Sequence, residues 1–365
     1  MTTAELTRTR QPDTSVPVLE AKGLTKHFPV RRARLGVRQP VVHALDDVTL
    51  ALPRSGIIAV VGESGSGKST LARMLARIIK PTSGSVLLDG KPAVAGRRYA
   101  RAVQLVLQDP FESLNPVHSV RYHLARPLQV HGLTGGASLD SRVTELLERV
   151  SLTPTDQFIG KFPHELSGGQ RQRVAIARAL AIRPRVLLAD EPVSMLDVSI
   201  RLGVLNLLAD LRTRDGLAIL YVTHDIASAR YLADRITVMY AGQIVESGPA
   251  TPLTDEPAHP YTQLLLSAAP DPDRPSGSAP PSLAGRGAPP NLIRPPAGCR
   301  FHPRCPHAMA VCAQAAPPTF ALGGEHASAC WLHARDLTTT QSRPLQGRGR
   351  GDVPPQVLGF IGEKK

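Results

Sequence analysis

The stretch "GIIAVVGESGSGKSTLARMLARII", residues 56–79, decides the fold class. Its first half, "GIIAVVG", is a short apolar run rich in β-branched residues and reads as a buried strand. Its second half, "STLARMLARII", places apolar residues at helical spacing. Between them, "GESGSGKST" (62–70) fits G-x-x-x-x-G-K-[ST] with Gly62, Gly67, Lys68 and Ser69, in the strand-to-helix setting that the motif demands. The physical reading is a phosphate loop. Glycines let backbone N–H groups turn inward, with Ser64, Gly65 and Thr70 completing the cradle. Lys68 reaches the terminal phosphates, the Ser69 hydroxyl can ligate Mg²⁺, and the helix N-terminus adds its dipole.

Outward from this unit the rhythm of strand and helix continues. "RVLLAD" (185–190), "LAILYVT" (217–223) and "RITVMY" (235–240) read as strands separated by helical segments, which implies a mostly parallel sheet covered on both faces. Residues 111–180 read as predominantly helical; Leu139, Val143, Leu146, Leu147 and Val150 fall on one face. "VLEAKGLTKHF" (18–28) alternates as an edge strand would. After about residue 270 the chain becomes too rich in Pro, Gly and Ser to pack as helix or sheet, so a linker or surface strap is expected. Residues 1–17 and 337–365 read as disordered tails, 18–256 as a nucleotide-binding domain and 257–336 as a cysteine-containing C-terminal region.

Composition sets bounds on these readings. Hydrophobic content of 42% over 365 residues suits a globular chain with a sizeable core. The polar, Pro-containing start does not read as a signal peptide, so secretion is not expected. No apolar run nears the roughly 20 residues that a membrane span needs, so any membrane role is peripheral. The net charge of +13 points to an acidic partner without choosing one. Its clusters at 31–38, 96–101 and 171–185 have solvated helix faces as the competing reading.

"RVLLADEP" ends a strand in two adjacent carboxylates, whose side chains alternate and can serve different ends. Asp190 is expected to hold Mg²⁺, and Glu191 to polarise the water that attacks the γ-phosphate. "LSGGQ" (166–170) opens a basic helix with Ser167, Gly168, Gly169 and Gln170, a second anion-binding helix start.

Together these three motifs resemble the nucleotide-binding subunits of ATP-binding cassette (ABC) transporters, over about residues 18–333. The resemblance implies an α/β fold of P-loop type, a RecA-like core with a helical subdomain and a small irregular C-terminal extension. It also implies that the LSGGQ of one subunit caps the ATP on the phosphate loop of another. Carried over by position, Gln108 in "VLQDPFESLNP" stands near Mg²⁺ and the attacking water. Asp197 in "SMLD" couples the two sites, and His224 in "YVTHD" contacts the γ-phosphate. Phe28 is the candidate aromatic for stacking on adenine, with a buried core Phe as the alternative. Met195 departs from the Ala more usual in the family, and Val193 and Met195 are expected to alter packing across the dimer interface.

"AHPYTQLLLSAAP" (258–270) is similar to the C-terminal motif of oligopeptide, dipeptide and nickel importer ATPases. The resemblance implies an ATPase working at the cytoplasmic face of the membrane with two permease subunits, a second ATPase, identical or homologous, and an extracytoplasmic substrate-binding protein. Peptide is the expected cargo and nickel the alternative. A soluble ABC ATPase acting on nucleic acid or in cofactor assembly is the other reading; it has only the charge in its favour, and no nucleic-acid partner is expected.

The four cysteines, Cys299, Cys305, Cys312 and Cys330, follow C-x5-C-x6-C-x17-C after nearly three hundred residues without one. Disulfides suit a cytoplasmic chain poorly. Four thiolates suit Zn²⁺ or an iron–sulfur cluster, and the missing tight pair favours the cluster. Importer ATPases with a similar "CxFHPRCPxAxxxC" segment imply [4Fe–4S], with Zn²⁺ as the alternative. His302 and His307 could replace a ligand, with surface packing as their competing role. The cluster is expected to be structural and far from ATP.

Overall fold

A computed structural model describes residues 16–30, 39–109, 113–133, 138–268 and 287–338. The chain divides into two compact units, Met1–Trp331 and Leu332–Lys365. The described part of the second is 3-10 helix that ends at Thr338.

Among the described residues the first unit is built on two sheets. The larger contains β3 (Ile57–Val61), β6 (Val103–Val106), β7 (Val186–Asp190), β8 (Ala218–Thr223), β9 (Arg235–Tyr240), β10 (Gln243–Pro249), β11 (Phe320–Gly323) and β12 (His326–Ser328), in the order β11-β12-β10-β9-β3-β8-β7-β6. From β9 to β6 the pairings are parallel, and from β9 outward to β11 they are antiparallel. The smaller sheet is antiparallel: β1 (Leu19–Pro29), β2 (Val41–Leu52), β4 (Ser83–Leu88) and β5 (Lys91–Pro92), in the order β2-β1-β4-β5. β1 is therefore not the edge strand its alternation implied. One of its faces is buried and the other is not, and that gives alternation to an internal strand as readily as to an edge.

All five residues of β3 are buried, as are those of β7 and β8, which is why these segments read as continuous apolar runs. Their alternation still matters. Ile57, Ala59 and Val61 pack into one core with Val120, Val143, Val174 and Val204 of the helical segments, whereas Ile58 and Val60 pack into another with Leu71, Met74, Leu24 and Val48. The helix Lys68–Leu75 thus lies between the two sheets, and the helical subdomain covers the opposite face.

In that subdomain Ser119 and Ser138 cap the helices Val120–Val130 and Leu139–Arg149, each accepting a backbone N–H through its hydroxyl. Val143, Leu146, Leu147 and Val150 are buried, and Leu139 packs at the margin of the same core. The basic helix Gly168–Leu180 is not simply a solvated face. Arg173 donates to the carbonyls of Val150 and Gly203, and Arg178 to that of Ser113. The basic cluster at 31–38, both expected tails beyond their margins and most of the Pro-rich segment lie outside the described residues. Where that segment is described again it fits a strap along β2, for the His43 N–H donates to the Leu292 carbonyl at 2.9 Å. The C-terminal extension is less irregular than expected, since β12 pairs with β10 and lengthens the main sheet.

Candidate nucleotide site

β3, β8, β7 and β6 are neighbours in the sheet, and each ends at a residue or loop singled out in the sequence. β3 runs into the phosphate loop, β8 into His224, β7 into Asp190 and Glu191, and β6 toward Gln108. Parallel pairing aligns these ends on one edge, where open α/β sheets bind ligands. A cavity of about 820 Å³ lies there, and its walls include Ser64, Gly65, Gly67, Lys68, Ser69, Thr70, Gln108, Glu191 and His224.

The loop is tightly fixed. Gly67 has φ +101°, and a Cβ there would stand 2.5 Å from the Ala44 carbonyl oxygen, so only glycine fits. Lys68, 3% exposed, folds back to donate to the carbonyls of Gly62 (2.7 Å) and Glu63 (2.9 Å). Burial lowers its pKa, against the pull of Glu191, Asp190 and Glu63. The Ser69 hydroxyl donates to Asp190 Oδ1 at 2.9 Å, and burial of Asp190 raises its pKa although that bond opposes the shift.

Glu191 lies just past the strand, at φ +47°, a conformation unusual for a residue with a side chain and found where a site holds it. Its Oε2 faces both Gln108 Nε2 (3.1 Å) and His224 Nδ1 (3.2 Å), while Oε1 is 4.0 Å from Lys68 Nζ. One carboxylate therefore gathers three residues expected to act together. This arrangement can hold a Mg²⁺-triphosphate through the loop amides, Lys68, Ser69 and Asp190, and leaves Glu191 oriented by neighbours that donate hydrogen bonds.

The other expected residues lie apart. Phe28 does not line the cavity; it pairs across β1 and β2 with Val42, which does, and Lys26 Nζ lies 5.0 Å from its ring centre. Ser167, Gly168, Gly169, Gln170 and Asp197 do not line it either. Ser167 caps its helix, with its hydroxyl accepting from Gln170 N–H and its own N–H donating to Gln170 Oε1. Gly169 packs so closely that a Cβ would lie 2.3 Å from Ile200 Cγ2. Near Asp197, Met195 and Val198 are 61% and 79% exposed, an apolar surface without cover in one chain. Val193 is 4% exposed and belongs to this chain's own core, which corrects the expectation that it packs across an interface.

Several residues join the phosphate loop in a way that the sequence did not signal. Glu246, 1% exposed, accepts from the N–H groups of Ala258 and His259 and pairs with His326 Nε2. It thereby fixes the start of the helix Pro260–Ala268. His259 Nδ1 then accepts from Tyr261 N–H, and the Tyr261 hydroxyl accepts from the Glu63 N–H, in the phosphate loop, at 2.8 Å. From the cysteine segment, Arg304 donates to both carboxylate oxygens of Glu63 at 3.0 and 3.1 Å. Leu265 and Leu292 line the cavity. The expectation that the cysteine segment lies far from ATP is therefore overturned.

Within that segment, Cys299 N–H donates to the Cys312 carbonyl at 2.8 Å, and burial raises the Cys299 thiol pKa, with Cys312 and Cys305 adding to the shift. His302 Nδ1 lies 2.8 Å from the Cys299 carbonyl oxygen, and His307 is exposed. Arg300 binds Asp46, which also pairs with His27 and lies near His43. His27, His43 and Asp46 place ligand atoms within 4.8 Å of one another, but the Arg300 guanidinium takes up the carboxylate, so the set reads as an ion-pair network.

Comparison with known proteins agrees with this geometry. The ABC transporter family model matches residues 45–194, and the model for the oligopeptide/dipeptide transporter C-terminal region matches residues 245–312. A probable peptide ABC transporter ATP-binding protein, y4tS, of Sinorhizobium fredii is 41% identical over 87% of this chain and 90% of its own length. The oligopeptide transport ATP-binding protein AppF of Bacillus subtilis is 38% identical over 87% of this chain and 98% of its own. Among solved structures, the dimeric bacterial ABC transporter cassette MJ0796 is 30% identical, with a TM-score of 0.56, over 64% of this chain and 98% of that one. No helix among the described residues is long and apolar enough to cross a membrane. With the phosphate loop, the paired carboxylates and the C-terminal region all in place, this chain belongs to the ATP-hydrolysing, ATP-binding subunits of ABC transporters.

Proposed function

We propose that the chain powers the import of peptides, hydrolysing ATP at the cytoplasmic face of the membrane for two permease subunits fed by an extracytoplasmic binding protein. The observation in favour is the C-terminal region. It is built into the nucleotide site through Tyr261, Arg304, Leu265 and Leu292, and it matches the region characteristic of oligopeptide and dipeptide transporters. Two ATPase subunits, identical or homologous, sandwich ATP in this reading. The phosphate loop, Glu191, Gln108 and His224 line the cavity, with Asp190 tied to it through Ser69, while Ser167–Gln170 and Asp197 lie elsewhere with exposed Met195 and Val198 near Asp197, ready to complete a second chain's site. Phe28, on the same face of the sheet as Val42, is the candidate platform for adenine.

ATP is the substrate. Ser69, Asp190 and Gln108 would hold Mg²⁺, which neutralises charge on the transferred phosphate. Lys68 binds the terminal phosphates, Glu191 orients and polarises water, and His224 contacts the γ-phosphate. Closure of the two subunits on ATP and reopening after hydrolysis drive alternating access in the permeases.

Cys299, Cys305, Cys312 and Cys330 would hold a [4Fe–4S] cluster, which lends the C-terminal segment a rigid centre. Burial raises the Cys299 thiol pKa, and Cys312 and Cys305 lie near enough to add to the shift, so at least three of the four thiols are gathered in one place.

The function is tested in a strain lacking this chain, by uptake of labelled di- and oligopeptides and of Ni²⁺, together with recovery of permeases from membranes on the tagged protein. Loss of peptide uptake with permeases recovered supports the reading. Intact peptide uptake with lost Ni²⁺ uptake, or a pull-down without permeases, overturns it.

A further inference from the structure

All three polar groups of Glu63 are engaged. Its carbonyl accepts from Lys68 within the loop, its N–H donates to the Tyr261 hydroxyl, and its carboxylate takes Arg304 through both oxygens. Two of these three tethers come from the C-terminal region, across sequence separations of 198 and 241 residues. Both partners are rigidly seated. Tyr261 is fully buried, with its ring 4.6 Å from that of Tyr240 and 5.4 Å from that of Phe301. Arg304 is 7% exposed and also donates to the Tyr240 hydroxyl at 3.3 Å.

Two physical effects follow. A loop already held in one conformation loses little entropy when it wraps a phosphate chain, so fixing it strengthens binding. Glu63 also places a carboxylate in the loop that must accept a triphosphate, and Arg304 offsets that charge where burial makes it felt. We propose that Tyr261 and Arg304 are positioning residues that hold the phosphate loop ready for nucleotide, so that the C-terminal region sets the affinity for ATP. This inference rests on the ATPase activity and on neither the cargo nor the group held by the cysteines. The two residues act at Glu63, away from Glu191, Gln108 and His224, so their loss weakens ground-state and transition-state binding alike.

The test uses the full chain, with Mg-ATP binding measured by titration and turnover by phosphate release. Tyr261→Phe keeps the ring and removes the tether; Arg304→Gln leaves the Glu63 charge uncompensated. Each is expected to raise Kd and KM for ATP roughly three- to tenfold while kcat stays within about twofold. Adding Glu63→Gln to Arg304→Gln removes the stranded charge but leaves the tether broken, and is expected to recover only part of the lost affinity, to about half of the loss on a logarithmic scale. A purely structural role for Arg304 gives no such rescue. Wild-type affinity in both single variants, a fall in kcat at unchanged KM, or failure of the rescue overturns the proposal. If Arg304→Gln does not fold, Tyr261→Phe decides alone by the same KM and kcat criterion.

Discussion

The Ser69 hydroxyl donates to Asp190 Oδ1 over 2.9 Å, joining the helix after the phosphate loop to the end of β7. In the function proposed above both groups belong to the Mg²⁺ site, and in this bond they orient one another. Asp190→Asn keeps the shape and removes the charge. Its expected effect is a loss of about ten- to a hundredfold in Mg²⁺-dependent ATP affinity, with metal-free nucleotide binding nearly unchanged. Nucleotide titrations with and without Mg²⁺ check this; equal weakening in both conditions would take Asp190 out of the metal site.

How far the sequence revealed this site follows from distance along the chain. The phosphate loop, Asp190, Glu191 and His224 were legible because each sits at the end of an apolar run, and adjacent parallel strands bring such ends together. Glu63 gave no signal, being one of the free positions in the loop motif, and Tyr261 and Arg304 meet it only through folding across 198 and 241 residues. Phe28 could be placed on β1 by alternation, but alternation could not separate an edge strand from an internal strand with one buried face. Val193 and Met195 sit two residues apart, yet one belongs to the core and the other to the surface. Their loop has no regular period from which to read that difference.

Ser167→Arg tests the trans arrangement. Ser167 is exposed and does not line the cavity of its own chain, so the substitution is expected to leave ATP binding by a single subunit within about twofold. Closure of two subunits on ATP should be blocked, measured by ATP-dependent dimerisation of the hydrolysis-deficient protein. Monomer binding reduced as severely as in Lys68→Ala would place Ser167 in its own chain's site.

Asp46 ties β2 to the C-terminal region through Arg300, with His27 and His43 beside it. Burial raises its pKa, but hydrogen bonds and charge from His27 and Arg300 outweigh this and hold it below the ordinary 3.8. A depressed carboxylate contributes stability above its unfolded value and loses it as pH falls through the folded one. Asp46→Ala is therefore expected to cost on the order of 1–3 kcal/mol above about pH 4, with the difference from wild type shrinking below that. Denaturant unfolding of both proteins from pH 3 to 7 measures it; a difference that grows toward acid contradicts the sign.

Protein purified without oxygen from iron-replete cells should be brown, absorbing broadly near about 400 nm, with about four iron and four sulfide per chain. Cys312→Ser should bleach it. Colourless protein with stoichiometric zinc would assign the four cysteines to a zinc site instead.

Glu191, set between Gln108 and His224, is placed in the proposed function as the group that activates water rather than one that binds nucleotide. The most direct measurement is Glu191→Gln, comparing ATP affinity with steady-state turnover. Affinity is expected to stay within about threefold of wild type while turnover falls by about two orders of magnitude or more and an ATP-bound dimer accumulates. Hydrolysis within a few-fold of wild type, or affinity lost in step with turnover, would contradict it.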